Sequence, residues 1–150
     1  MSVRLCRAVQ VTIALSLIGT FGCVRAMIPY RPDAPDTLMG EWTGTWTAPV
    51  YPGWNGTLAI TIESVTKSKS NEEWLVHGRI EGSGGAQVQV PPWSHGFRNG
   101  RLTGSTLVLS GNTWQYVLTV DGWSMSGTWT PTFGGAKTVA LSKTKDLSKR

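Results

Sequence analysis

The sequence predicts an all-β domain: a small antiparallel up-and-down barrel of about seven or eight strands, with a β-sandwich as the alternative. Three observations predict it. Leu38 to Thr47 alternates strictly, with Leu38, Gly40, Trp42, Gly44 and Trp46 on one side of an extended strand and Glu41, Thr43, Thr45 and Thr47 on the other. Further alternating runs recur between Gly-, Asn- and Asp-containing turns, and no stretch sustains a helical period. The 18 glycines and 8 tryptophans in 150 residues pair tight turns with an aromatic interior. A lone sheet of this length would expose long edges, and closure removes them.

Ahead of the first strand lies a leader. Arg4 and Arg7 make a basic start, and Val9 to Phe21 runs apolar without a charge. That run is too short for a membrane span of about 20 residues. Its order of basic, apolar and small-residue segments predicts an export signal over residues 1–22. Cleavage falls before Cys23, where Gly22-Cys23 resembles a bacterial lipobox and would make Cys23 the lipidated first residue, or after Ala26. Residues 23–37, with Pro29, Pro32 and Pro35, predict a Pro-rich tether.

The barrel domain is expected over 38–143, and 144–150 form a basic tail; Lys143, Lys145, Lys149 and Arg150 read as solvated. Cys6 and Cys23 both lie in or at the end of the leader, so the mature domain has neither an internal disulfide nor a Cys-based metal site. A chain beginning at Met27 loses three of its 14 basic residues and keeps all 9 acidic ones, for a net charge of +2. Nothing in that balance points to nucleic acid.

The strands follow in order. Thr57 to Glu63 points Leu58, Ile60 and Ile62 inward. Glu73 to Gly82 places Trp74, Val76, Gly78 and Ile80 on one face and His77, Arg79 and Glu81 on the other. Ala86 to Val90 offers one further short strand before Pro91-Pro92. Asn99-Gly100 is a hairpin signal. Arg101 to Ser110 reads as one strand with a bulge at Gly104. Trp114, Tyr116, Leu118 and Val120 share a face, and Asp121-Gly122 turns the chain into Trp123, Met125, Gly127 and Trp129. Thr138 to Leu141 is the last run.

The spacing Gly40-x-Trp42-x-Gly44-x-Trp46 resembles the Gly-x-Trp opening of the calycin group, the lipocalins and avidins. Met125-Ser126-Gly127-Thr128-Trp129, after a Gly-rich turn and an aromatic strand, is similar to lipocalin-like domains of bacterial secreted proteins and lipoproteins. The resemblance implies an up-and-down barrel that often binds small apolar molecules. It assigns no binding residue here.

The chemistry-bearing residues are few. His77 is expected on an outward face, and His95 in a loop from Pro92 to Phe97. A Ser94-His95 pair makes no triad, and there is no Gly-x-Ser-x-Gly elbow. Glu72 and Glu73, adjacent in a strand, point to opposite faces and do not suit glycoside chemistry. No catalytic residue, metal ligand or cofactor is therefore expected.

Trp42, Trp46, Trp74, Trp114, Trp123 and Trp129 are expected in the core. Tyr51, Trp54, Trp93 and Phe97, in Pro- and Gly-containing loops, make the expected binding rim. The function these features suggest is a non-enzymatic exported envelope protein that binds a small apolar ligand, membrane-held if Cys23 is lipidated. A fully packed interaction domain and a glycan binder acting through loop aromatics are the alternatives.

Overall fold

The computed structural model describes residues 26–69, 72–85, 90–132 and 134–148. Eight antiparallel strands follow one another around a closed barrel. They are β1 (Gly40–Thr47), β2 (Asn55–Lys67), β3 (Trp74–Gly84), β4 (Trp93–Thr103), β5 (Thr106–Ser110), β6 (Trp114–Asp121), β7 (Ser124–Pro131) and β8 (Lys137–Asp146). Sequence and structure agree on the all-β up-and-down architecture. The leader, Cys23 and Ala86–Gln89 lie outside the described residues.

The seam of the barrel is the β1–β8 ladder, from Gly40 opposite Asp146 to Thr47 opposite Thr138. Gly44 shows why a small residue sits there: a Cβ on it would run into the Ala140 carbonyl. Trp42 fills the interior beside it and is fully buried. The Gly/Trp alternation thus lets one wall approach while its neighbours fill the space.

Two turn assignments change places. Asn99-Gly100 is no hairpin. Two residues of β4, Arg98 and Asn99, oppose the single residue His77 of β3, so the sequence signal marks a bulge. The true turn follows Thr103, where Gly104 adopts φ +55 and separates β4 from β5. The run read as one bulged strand is two paired strands, with Leu102 opposite Leu107.

The barrel has two unlike ends. At the closed end, the chain ahead of β1 folds across the opening. The Tyr30 N–H donates to Gly122 O at 2.8 Å, and its hydroxyl donates to Gly104 O. A 3-10 turn, Pro35–Leu38, seats Leu38 in the interior, and Trp42 Nε1 donates to Leu38 O at 3.0 Å. Residues 28–37 are therefore a plug and not an extended tether: the Tyr30 N–H on Gly122 O, the Tyr30 hydroxyl on Gly104 O and the Lys143 ammonium on Ile28 O and Thr37 O hold them despite the prolines.

The tail departs from expectation as well. β8 runs to Asp146, and its alternation carries Lys137, Val139, Leu141 and Lys143 inward. Lys143, read as solvated, is buried because the plug covers it. Its ammonium donates to Thr37 O at 2.6 Å and Ile28 O at 2.9 Å, and lies 3.5 Å from Asp146 Oδ1.

Candidate functional site

The closed half of the interior is filled by Trp42, Ile60, Ile62, Val76, Leu118 and Met125, all fully buried. The open half is not filled. It contains a cavity of about 260 Å³ lined by residues of β3, β4, β6 and β7, among them Trp93, His95, Trp114, Tyr116 and Trp129. Ligand pockets usually hold about 300–1,000 Å³, so this one suits a small molecule.

Strand pairing explains how the rings meet. Trp129 on β7 stands directly opposite Tyr116 on β6 and Lys137 on β8. Tyr116 stacks on Trp129 with centroids 5.5 Å apart and planes 5° from parallel. The Lys137 ammonium lies 4.6 Å from the Trp129 ring centroid and 5.9 Å from that of Trp46. The indole of Trp129 is thus held between a phenol and a cation, an arrangement its ring quadrupole favours.

A second row continues the cluster, with Trp114 edge-on to Tyr116 at 5.6 Å. His95 stacks between Trp93 at 5.5 Å and Trp114 at 6.3 Å, with planes within 27° and 23° of each. Trp93 closes the corner against Trp129 at 5.4 Å. The wall is open beside this row. β5 pairs with β4 only along Arg101–Thr103, so among the described residues no strand flanks Trp93–Asn99 on that side.

Three groups here are electrostatically unusual. The Tyr116 hydroxyl and Trp129 Nε1 are buried with no hydrogen-bond partner among the described residues. Burial pushes the Tyr116 hydroxyl well above its ordinary range, so it stays protonated. Burial also lowers the Lys137 pKa, and no carboxylate among the described residues pairs with its ammonium.

The expected rim is divided. Tyr51 and Trp54 share the β1–β2 loop, stack on each other at 4.8 Å and remain exposed. Trp93 lies on β4 and lines the cavity. Phe97 is a core residue, 4 % exposed, because β4 begins at Trp93 and alternation turns Phe97 inward. The same alternation takes His95 out of the expected loop and places it on the strand.

Among the expected core tryptophans, Trp42 and Trp46 are buried, and Trp74, Trp114 and Trp129 pack half-buried against the core. Trp123 is not in the core. It is 43 % exposed, because Gly122 at φ +54 breaks the alternation of β7 before Met125 restores it.

His77 lies on the outward side of β3, between inward Val76 and Gly78. Glu73 faces Arg101 at 3.7 Å on the outside. Among the described residues no group of three or more His, Cys, Asp or Glu could hold a metal ion. A larger hollow of about 810 Å³ lies on the outer face of β1–β4, where Thr43, Thr57, Ala59 and Ser94 line it. Glu81 and Trp93 also line it, Trp93 being shared with the inner cavity, but it brings together no cluster of rings such as the inner cavity holds.

His95, Tyr116 and Lys137 are the site residues that sequence reasoning missed. Trp93-x-His95-x-Phe97 is itself an alternating signal, but the preceding Pro91-Pro92 makes it read as loop. Lys137 continues the alternation of Val139 and Leu141, but a lysine reads as a strand boundary. No family profile, curated protein or solved structure matches this chain.

Proposed function

We propose that this protein is a non-enzymatic exported barrel of the cell envelope that holds a small, largely apolar ligand in the aromatic cavity at its open end. The cavity carries the reading. It is a space of about 260 Å³ walled by rings, in a barrel whose other half is filled by side chains. Interiors pack at crystal density with few voids larger than a water molecule, and a ring-walled space with a few polar groups is the usual form of a ligand site. The polar groups of the wall, His95, Thr113 and Tyr116, serve recognition in this reading.

Export rests on the leader, with its basic start, apolar run and Cys23 or Ala26 boundary. The described chain enters at the closed end, where Ile28 O meets Lys143. An anchor at Cys23 would therefore leave the mouth facing away from the membrane.

Native mass spectrometry of the protein taken gently from its own cells tests the reading. A small added mass, lost on denaturation, is the expected result. A bare polypeptide mass, with tryptophan fluorescence unmoved by apolar ligands, would replace the reading with a packed interaction module. The same spectrum separates a diacylglyceryl group on Cys23 from a chain beginning at Met27. A second reading, sugar stacking on the Tyr51–Trp54 pair, is favoured by their exposure of 42 % and 44 %. Trp54→Ala would abolish glycan binding at no cost in stability if that reading holds.

A further inference from the structure

We infer that the ligand is flat and ring-shaped, and that it presents an oxygen acceptor to the Trp129 indole N–H and the Tyr116 hydroxyl. The inference rests on the small-ligand reading above and adds the ligand's chemical class.

The polar part follows from two orphaned groups. Tyr116 Oη and Trp129 Nε1 have essentially no accessible surface and no partner among the described residues; their residues stand on neighbouring strands and line the same cavity, so a ligand there reaches the two donors as the rings turn toward it. Buried polar groups are nearly always hydrogen-bonded, so such a pair calls for an explanation. An indole N–H only donates, and a protonated phenol donates. A carbonyl or carboxylate on the ligand supplies the oxygen acceptor that such donors need. Lys137 stands behind the Trp129 ring without an acidic partner among the described residues, so the local field favours an electron-rich oxygen.

The shape follows from the walls and the floor. Tyr116 and Trp129 are within 5° of parallel, and the Trp93–His95–Trp114 row joins them at both ends, Trp93 5.4 Å from Trp129 and Trp114 edge-on to Tyr116 at 5.6 Å. Such faces take planar rings in offset or edge contact. Depth is limited, because Trp42, Ile60 and Leu118 fill the barrel below. A long acyl chain has no channel to enter.

Isothermal titration calorimetry of the purified protein with naphthalene, 2-acetonaphthone, 2-naphthoate and decanoate tests this. The two acceptor-bearing naphthyl probes are expected to bind about tenfold tighter than naphthalene. The tighter of the two tells a carbonyl from a carboxylate. Tyr116→Phe and Trp129→Phe should each remove most of that preference, read within each variant as the ratio of acceptor-probe to naphthalene affinity, with circular dichroism and the melting temperature showing that each variant is folded. Equal affinity of all three naphthyl probes, or a preference that survives both substitutions, overturns the acceptor assignment and leaves the small-ligand reading standing. Decanoate binding more tightly than 2-naphthoate overturns the flat shape. No binding by any of the four overturns the inference and the small-ligand reading together.

Discussion

The Lys143 ammonium sits 3.5 Å from Asp146 Oδ1, three residues along the same strand, and both side chains are out of solvent. A bulge between Glu41 and Trp42 in the β1–β8 ladder shifts the alternation of β8 and brings both inward. Each charge is fully engaged. Lys143 reaches two carbonyls of the plug, and Asp146 accepts from the Ile28 N–H, the Ser148 N–H and the Ser148 hydroxyl. The pair therefore ties the N-terminal plug to the C-terminal strand.

Removing one partner should cost far more than removing both. Lys143→Met leaves Asp146 buried with part of its satisfaction gone, and Asp146→Leu strands an ammonium. Each single change is expected to cost about 3–5 kcal/mol, as broken buried pairs do. The double change Lys143→Met, Asp146→Leu should recover much of that loss. Urea unfolding of the four proteins gives the coupling energy directly, and additive losses would mean that the two charges do not act together.

Acid should loosen the same clasp. Burial alone would raise the Asp146 carboxyl, but hydrogen bonds from Ser148, the Lys143 charge and the Ile28 N–H hold it below its ordinary 3.8. A carboxyl with a depressed folded value stabilises the fold fully above 3.8 and loses that contribution as pH falls through the lower folded value. Lys143 is lowered by burial despite Asp146, so it contributes no stabilisation lost in this window. Thermal melts from pH 7 down to about pH 2 should show an acid step that is weaker in Asp146→Asn.

The apolar alternation of this barrel was legible in the sequence; its plug and its working half were not. Leu38, Trp42, Leu58, Ile60 and Leu118 follow a period of two with apolar residues, and all are buried as that pattern requires. The open half hides its pattern in polar and breaker residues. Pro91-Pro92 masks the start of β4, so His95 reads as loop. Lys137 and Lys143 occupy inward positions that only a covered barrel end and an aromatic stack make tolerable. Of a rim drawn from loop aromatics only Trp93 lines the cavity, whose other walls come from strand positions far apart in sequence.

The two tryptophans that the sequence placed together should behave differently. Trp42 is fully buried and bonds Leu38 O at 3.0 Å, so Trp42→Ala is expected to cost about 3–5 kcal/mol. Trp123 sits 43 % exposed in the β6–β7 turn, and Trp123→Ala should stay within about 0.5 kcal/mol of the parent. Melting temperatures of the two variants decide it. An unchanged melting temperature for Trp42→Ala would place that side chain outside the core.

Gly100 and Gly104 offer a matched test of bulge against turn. By sequence Gly100 is the turn glycine and Gly104 the bulge glycine, but of the two only Gly104 has positive φ, +55, with open space where a Cβ would go. Gly104→Ala should cost about 1–2 kcal/mol through backbone strain alone. Gly100 has ordinary backbone and crowded surroundings: a Cβ would stand 2.7 Å from Leu109 Cδ2 and 2.9 Å from Val76 O. Gly100→Ala should cost about 1–3 kcal/mol through overpacking. The mechanisms separate on Asn substitution, because Asn tolerates the left-handed region and Ala does not. Gly104→Asn should therefore recover part of the loss seen with Ala. Gly100→Asn, larger still, should be worse than Gly100→Ala. The reverse order at Gly100 would restore it to a hairpin turn and shift the register of β4, carrying His95 away from the cavity.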